Sequence, residues 1–222
     1  MVVSQPSRTI LILLRLAKVE HEVKDWNVRA NEHKKDEEFM RISPHGTVPT
    51  LQVGDWGISE TAGIARYIND NFDVPEHVMP KADKKKAAEV DMWLAWNQNT
   101  LRPGMMGVFR LNFGHFMSGE APDVTKKAEA VAGAEKVLGD LDRYLGKTSG
   151  AFITGESWNI ADIAIWSEVS LYPLLGIDLA RWENVKKHTD AVAEIPEVAT
   201  VIEEITPTIT GFVAGFHAKG VL

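Results

Sequence analysis

The sequence predicts an α/β domain followed by an all-α domain. Three observations predict it: alternating short β-branched and amphipathic segments up to about residue 72, a proline-bearing break after them, and the near-disappearance of strand signals beyond. In order, Met1–Val3 reads as a strand stub. Ser7–Lys18 is helical, with Ile10, Leu13, Leu14 and Ala17 on one face, and Glu22–Val28 alternates charged and apolar side chains as a half-buried strand does. Asp36–Ile42 holds a short helix. Residues 48–53, the pair Gly54-Asp55 and residues 56–58 read as a hairpin, because Gly and Asp suit turn dihedrals. Ser59-Glu60-Thr61 opens a helix running to about Asn71. The predicted order is β-α-β-α-β-β-α over residues 1–72.

Pro75 and Pro80 mark a linker, taken as residues 73–83, and the helical part occupies residues 84–222. A long helix from near Ala82 is expected to break or kink at Leu101-Arg102-Pro103-Gly104. Val131, Ala134, Leu138, Leu141 and Leu145 form the stripe of an amphipathic helix. Asn159-Ile160-Ala161-Asp162 has the character of a capping box, opening a helix expected to reach about Tyr172, where Pro173 limits it.

Composition excludes several function classes. With 24 Lys+Arg against 31 Asp+Glu the net charge is −7, which argues against a general nucleic-acid binder. The aliphatic run Ile10–Leu14 is closed by Arg15, far short of the roughly 20 residues of a membrane span, and no secretory signal pattern precedes it. A cytoplasmic protein is expected, with no membrane or nucleic-acid partner. The chain has no cysteine, which removes disulfides, thiolate metal sites and a protein thiol nucleophile. Any sulfur chemistry must use a sulfur brought by a ligand. Gly146-Lys147-Thr148 lacks the earlier glycine of a phosphate loop, Leu141 standing there, and no zinc-protease, dinucleotide or esterase motif occurs. No metal is expected.

What remains is a set spread over nearly the whole chain: Ser4-Gln5-Pro6-Ser7-Arg8, Val48-Pro49, Ser59-Glu60-Thr61 and Asn159-Ile160-Ala161-Asp162. In this order the sequence resembles the cytosolic glutathione transferases, and its Ser-Gln-Pro-Ser-Arg turn and Val90-Asp91-Met92-Trp93-Leu94-Ala95-Trp96 segment are most similar to the theta class. The resemblance implies a thioredoxin-like N-terminal domain, an all-α C-terminal domain, a homodimer, and glutathione as co-substrate. It also implies conjugation of the glutathione thiolate to small electrophiles such as alkyl halides, epoxides or hydroperoxides.

The same resemblance implies residue roles. Ser4 would hold the thiolate, since a hydroxyl hydrogen bond to a charged group contributes about 1.5–3 kcal/mol, roughly one to two pKa units. By its residues alone Ser4 also reads as a helix cap. Thr61 would receive the γ-glutamyl carboxylate at a helix N-terminus and Glu60 would face the ligand amine; both also read as plain capping residues. In the family the bond before Pro49 is cis and turns Val48 toward the cysteinyl backbone; alone, Pro49 reads as the start of an edge strand. Gln5 and His33 are expected at the peptide, and Arg102 near the electrophile, with turn structure, a solvated loop and a surface charge as their respective alternatives. Trp93 and Trp96 read as core or subunit contacts. The sequence departs from the family in having few residues before Ser4 and in placing Thr47 before Val48-Pro49, which removes the lysine that would otherwise meet the glycine carboxylate; Thr47 is still expected to border glutathione. The tail from Pro207 through Phe212 and Phe216 is expected to lie beyond the helical core as a lid. A non-catalytic interaction or ligand-carrier protein of the same fold is the alternative function, and a dehalogenase or isomerase would use the same thiolate.

Overall fold

A computed structural model of the chain describes residues 4–222. The N-terminal part contains α1 (Gln5–Leu16), α2 (Glu37–Ile42), a hairpin of β1 (Thr50–Val53) and β2 (Trp56–Ser59), and α3 (Thr61–Asn71). Helix α1 starts because Pro6 lies in its first turn, where a missing N–H costs nothing. Its Ile10–Leu14 run is buried on every side, not on one face, because α1 is clasped by α3, α7 (Ile160–Val169) and α10 (Pro196–Ala218). Asp36 caps α2, its carboxylate accepting from Phe39 N at 2.7 Å. The hairpin is antiparallel with Thr50 opposite Ser59 and Val53 opposite Trp56, and Gly54 takes the left-handed φ of +58° that the turn requires.

Met1–Val3 lies outside the described residues. Residues 22–28 form no strand: Val23 is 56% exposed, Lys24 turns to Asp36 at 3.1 Å and over the Trp26 ring, and Val28 begins a 3₁₀ turn. A strand exists only through a ladder, and the sheet among the described residues consists of β1 and β2.

The rest is helical: α4 (Lys84–Trp96), α5 (Arg102–Ser118), α6 (Val124–Leu145), α7, α8 (Tyr172–Leu175), α9 (Glu183–Ala193) and α10. The break expected near Pro103 is a π turn over Asn97–Leu101, in which Arg102 N donates to Asn97 O five residues back. Pro103 has no N–H for the carbonyl four residues earlier and its ring crowds that carbonyl, so the widened turn relieves the clash. The capping box of α7 forms as expected. That helix ends at Val169, and Pro173 sits in the first turn of the separate α8. The C-terminal segment departs from expectation. Helix α10 runs through Pro207 to Ala218, and Phe212 and Phe216 pack with Phe109, Phe113, Phe116, Leu171 and Leu174 in a second apolar cluster, so the tail belongs to the core. Six aromatic edge or offset contacts among five phenylalanines hold it there.

Candidate functional site

Ser4 sits immediately before α1 with extended dihedrals, φ −71° and ψ 122°, and its carbonyl accepts from Arg8 N at 3.0 Å. Its hydroxyl caps nothing and has no partner among the described residues. A half-buried hydroxyl at the positive end of a 12-residue helix is thus left for a group from outside.

Gln5 is buried and its Nε2 donates to Met106 Sδ at 3.5 Å, which brings the start of α1 against α5. Gln5 also closes one side of a small apolar cavity of about 30 Å³ between α5, the turn to α8 and α10, walled by Phe109, Phe113, Leu171, Phe212 and Phe216. This apolar space beside Gln5 is therefore shaped in part by the segment expected to lie apart from the core.

The second helix start is α3. Thr61 is buried at its first position, and neither Ser59 nor Glu60 caps it, so its first-turn amides keep their hydrogen-bonding capacity. Glu60 holds φ 70° and ψ 120°, a conformation that costs a non-glycine residue about 1–3 kcal/mol and persists only where the surroundings enforce it. The plain-cap alternative for Glu60 and Thr61 is not what forms.

Between them lies the Gly46–Pro49 loop. The Val48–Pro49 bond is cis, and Val48 makes no hydrogen bond with another described residue. Thr47 is exposed, but its backbone is anchored: its N–H donates to Ser43 Oγ at 3.3 Å, and its carbonyl accepts from Ser43 Oγ at 3.2 Å and Thr50 Oγ1 at 2.9 Å. His33 is not a solvated loop side chain. It is 2% exposed, set edge-on to Phe39, and its Nε2 donates to Gly46 O at 3.1 Å, so it braces the base of this loop.

Arg102 is engaged rather than free. Its Nη1 donates to Glu168 Oε1 at 2.6 Å, and Glu168 is almost wholly buried on α7. Arg8, fully buried, reaches the same helix: Nη2 donates to Ser167 O at 2.6 Å and Nη1 to Ser170 Oγ at 3.0 Å. Burial lowers the Arg8 guanidinium to about 10, with Glu168 opposing the shift; burial likewise raises the Glu168 carboxyl, with Arg102 and then Arg8 opposing. Neither Arg8 nor Glu168 was singled out by sequence reasoning. Each leaves a local mark: Arg8 follows the serine by one helical turn, just ahead of the apolar run Ile10–Leu14, and Glu168 interrupts an otherwise buried helix. Among the described residues no cluster of His, Asp or Glu could hold a metal, and no helix is long and apolar enough to cross a membrane.

Comparison with known proteins bears directly on this arrangement. Residues 3–71 match the family described as Glutathione S-transferase, N-terminal domain, and residues 112–204 match Glutathione S-transferase, C-terminal domain. Human Glutathione S-transferase theta-2B is 26% identical over 179 residues, covering 80% of this chain and 71% of that protein. A delta-class glutathione transferase structure from Nilaparvata lugens superposes with a TM-score of 0.80 at 26% identity, over 99% of this chain and 97% of that one. A glutathione transferase homologue from Lodderomyces elongisporus, solved with two GSH per subunit, shares the fold at a TM-score of 0.77 and 20% identity, over 90% of this chain and 94% of that one. The family uses glutathione as its co-substrate. The chain belongs to the cytosolic glutathione transferase superfamily and is theta-like within it.

Proposed function

We propose that this chain is a serine-type glutathione transferase in which the Ser4 hydroxyl stabilises the glutathione thiolate. The observation that carries the reading is the unpartnered Ser4 hydroxyl at the start of α1, one residue from an apolar cavity. A free thiol with a pKa of about 8.5 is mostly protonated at neutral pH, and a donated hydrogen bond lowers it by roughly one to two units. The thiolate then attacks an electrophilic carbon or peroxide oxygen, the bond to the leaving group breaks with its electron pair, and the thiol proton has already passed to solvent. No metal takes part.

In this reading residues 1–72 bind glutathione, 73–83 link, and 84–222 supply the electrophile side. The γ-glutamyl carboxylate sits on the open amides and hydroxyl of Thr61, with Glu60 at the amine. Val48, turned by the cis bond to Pro49, pairs with the cysteinyl backbone like an added strand. Gln5 and Thr47 border the peptide. His33 serves through Gly46, and Arg102 borders the electrophile pocket from within its ion pair. Small alkyl halides, epoxides or hydroperoxides match the apolar phenylalanine lining of this cavity. The C-terminal half of α10 covers it, as a lid would, through Phe212 and Phe216. Dimerisation is supported by exposed apolar side chains, Val53 and Trp56 paired across the hairpin and Met92 on α4, with the Trp56 ring tilted against Tyr67 at 5.0 Å. The cytoplasm is the compartment in which a cysteine-free member of this superfamily would meet reduced glutathione.

Calorimetry with glutathione and steady-state conjugation of an aryl halide test the reading together. Saturable binding that Thr61→Val weakens at least tenfold, with kcat falling at least tenfold in Ser4→Ala, is the expected pair of results. Tight binding with no turnover in the parent would leave a ligand carrier instead of an enzyme.

A further inference from the structure

Three helices meet at one ionic cluster. Arg8 comes from α1, Arg102 from α5 and Glu168 from α7: Arg102 pairs with Glu168 at 2.6 Å, and Arg8 bonds the carbonyl of the adjoining Ser167, close enough to feel the same carboxylate electrostatically. Arg8 is fully buried and Glu168 is 1% exposed, while Arg102 reaches in from the edge. Glu168 Oε2 and Arg8 Nε find no hydrogen-bond partner among the described residues, so no second acid completes the balance. Of the other charged groups on elements packed against α1, Arg66 pairs with Asp91, Glu204 with Arg15 and Asp162 with His188, while Asp70, Glu203 and His217 are exposed and Glu197 half-buried, all four outside any ion pair among the described residues. The cluster carries one uncompensated positive charge where water does not screen it well.

Its Arg8 stems from the first turn of the helix that Ser4 precedes. Arg8 N donates to the Ser4 carbonyl, and Gln5 touches Met106, one turn along α5 from Arg102. We propose that the Arg8–Glu168–Arg102 cluster sets the acidity of the glutathione thiol held at Ser4, its surplus positive charge favouring the thiolate and Glu168 limiting that effect. This rests on the transferase reading above. Glu168 touches no substrate; it acts at a distance, as a charge. Its retention has a chemical logic, because a sulfur nucleophile weakens as its pKa falls, and the best attacking thiol titrates near the ambient pH. From one helical turn plus the reach of an arginine, the separation from the sulfur is about 12 Å. At that distance a unit charge in a partly screened interior moves a pKa by roughly half to one unit.

The test is the ultraviolet thiolate titration of protein-bound glutathione in the parent, in Glu168→Gln and in Arg102→Gln/Glu168→Gln. Glu168→Gln keeps the shape and an acceptor for Arg102 while removing the negative charge, so the bound thiol pKa is expected to fall by about half to one unit. Its kcat on the high-pH plateau should drop about two- to threefold as nucleophilicity is lost. The double variant restores the parent's net charge without restoring the ion pair, and its thiol pKa should return toward the parent value. A pKa that stays put or rises in Glu168→Gln overturns the proposal while a depressed thiol in the parent leaves the transferase reading intact. A parent that binds no glutathione, or binds it with an ordinary thiol pKa, overturns both. If thermal melting shows Glu168→Gln unfolded, the double variant is compared with one that also carries Arg8→Gln. Removal of that last cation should raise the pKa, and an unchanged value would refute the charge effect.

Discussion

Replacing Asp162 by alanine removes one carboxylate that closes three buried donors. Its Oδ1 accepts from Ile153 N at 2.7 Å and from His188 Nε2 at 2.9 Å, and its Oδ2 accepts from Asn159 N at 2.9 Å. Asp162 and His188 are both fully buried, so water cannot replace the lost acceptor. Each orphaned buried donor costs about 1–3 kcal/mol, and because the three form one network their losses overlap; about 4–5 kcal/mol is the expected total. That is a large share of a domain stability of about 5–15 kcal/mol, and at roughly 2–4 °C per kcal/mol it lowers Tm by about 10–15 °C. Urea denaturation followed by tryptophan fluorescence measures it, with Trp166 on the same helix as a buried reporter. Asp162→Asn, which keeps one acceptor oxygen, should lose less than Asp162→Ala, and exposed Asp123→Ala should cost about 1 kcal/mol as an ordinary cap loss. A cost below about 1.5 kcal/mol for Asp162→Ala, or a larger cost for the asparagine, would refute this account of the capping box.

Phe216→Ala should destabilise by about 3–5 kcal/mol, since the ring is fully buried in the second apolar cluster, and it should enlarge the electrophile cavity; denaturation and the KM for a bulkier electrophile check the two effects. Deleting residues after Thr206 removes buried Phe216 and should both destabilise the helical part and change substrate choice; a folded truncation with unchanged turnover and preference would remove the lid. Asp36 is held below the ordinary carboxylate range by the Phe39 amide, then by Lys24. A carboxyl lowered on folding lends stability above about pH 4 that is lost as pH falls through its folded value, so Asp36→Asn should flatten the acid limb of a urea-midpoint profile. Trp56→Glu should shift a dimer toward monomer in sedimentation at micromolar concentration, and no shift would locate the subunit contact elsewhere.

The parts of the fold legible in the sequence were those set by local chemistry. The capping box is written in four consecutive residues, the hairpin in a Gly-Asp pair between apolar runs, and the helix interruption in one proline. What escaped depends on partners far along the chain. Residues 22–28 carry a strand pattern, but pairing decides a strand and their side chains turn to α2 instead. The uniform burial of α1 comes from three helices, two of them more than 140 residues away. The tail packs in the helical part rather than beyond it because contacts of Phe212 and Phe216 with distant α5 and the turn to α8 hold the helix through Pro207. At the site, motif residues Ser4, Val48, Pro49, Glu60 and Thr61 were visible by resemblance. Arg8 and Glu168 each leave a local mark, but their assembly with Arg102 into one cluster was not visible, since partners as much as 160 residues apart in sequence leave no spacing to read.

The most direct test of the central claim is the ultraviolet thiolate absorbance of bound glutathione as a function of pH, in the parent and in Ser4→Ala. The account predicts a bound thiol titrating at least one unit below free glutathione in the parent, and a return toward the free value when the hydroxyl is removed. A shift that survives in Ser4→Ala would contradict the role given to Ser4, and bound glutathione with no shift in the parent would contradict the transferase mechanism itself.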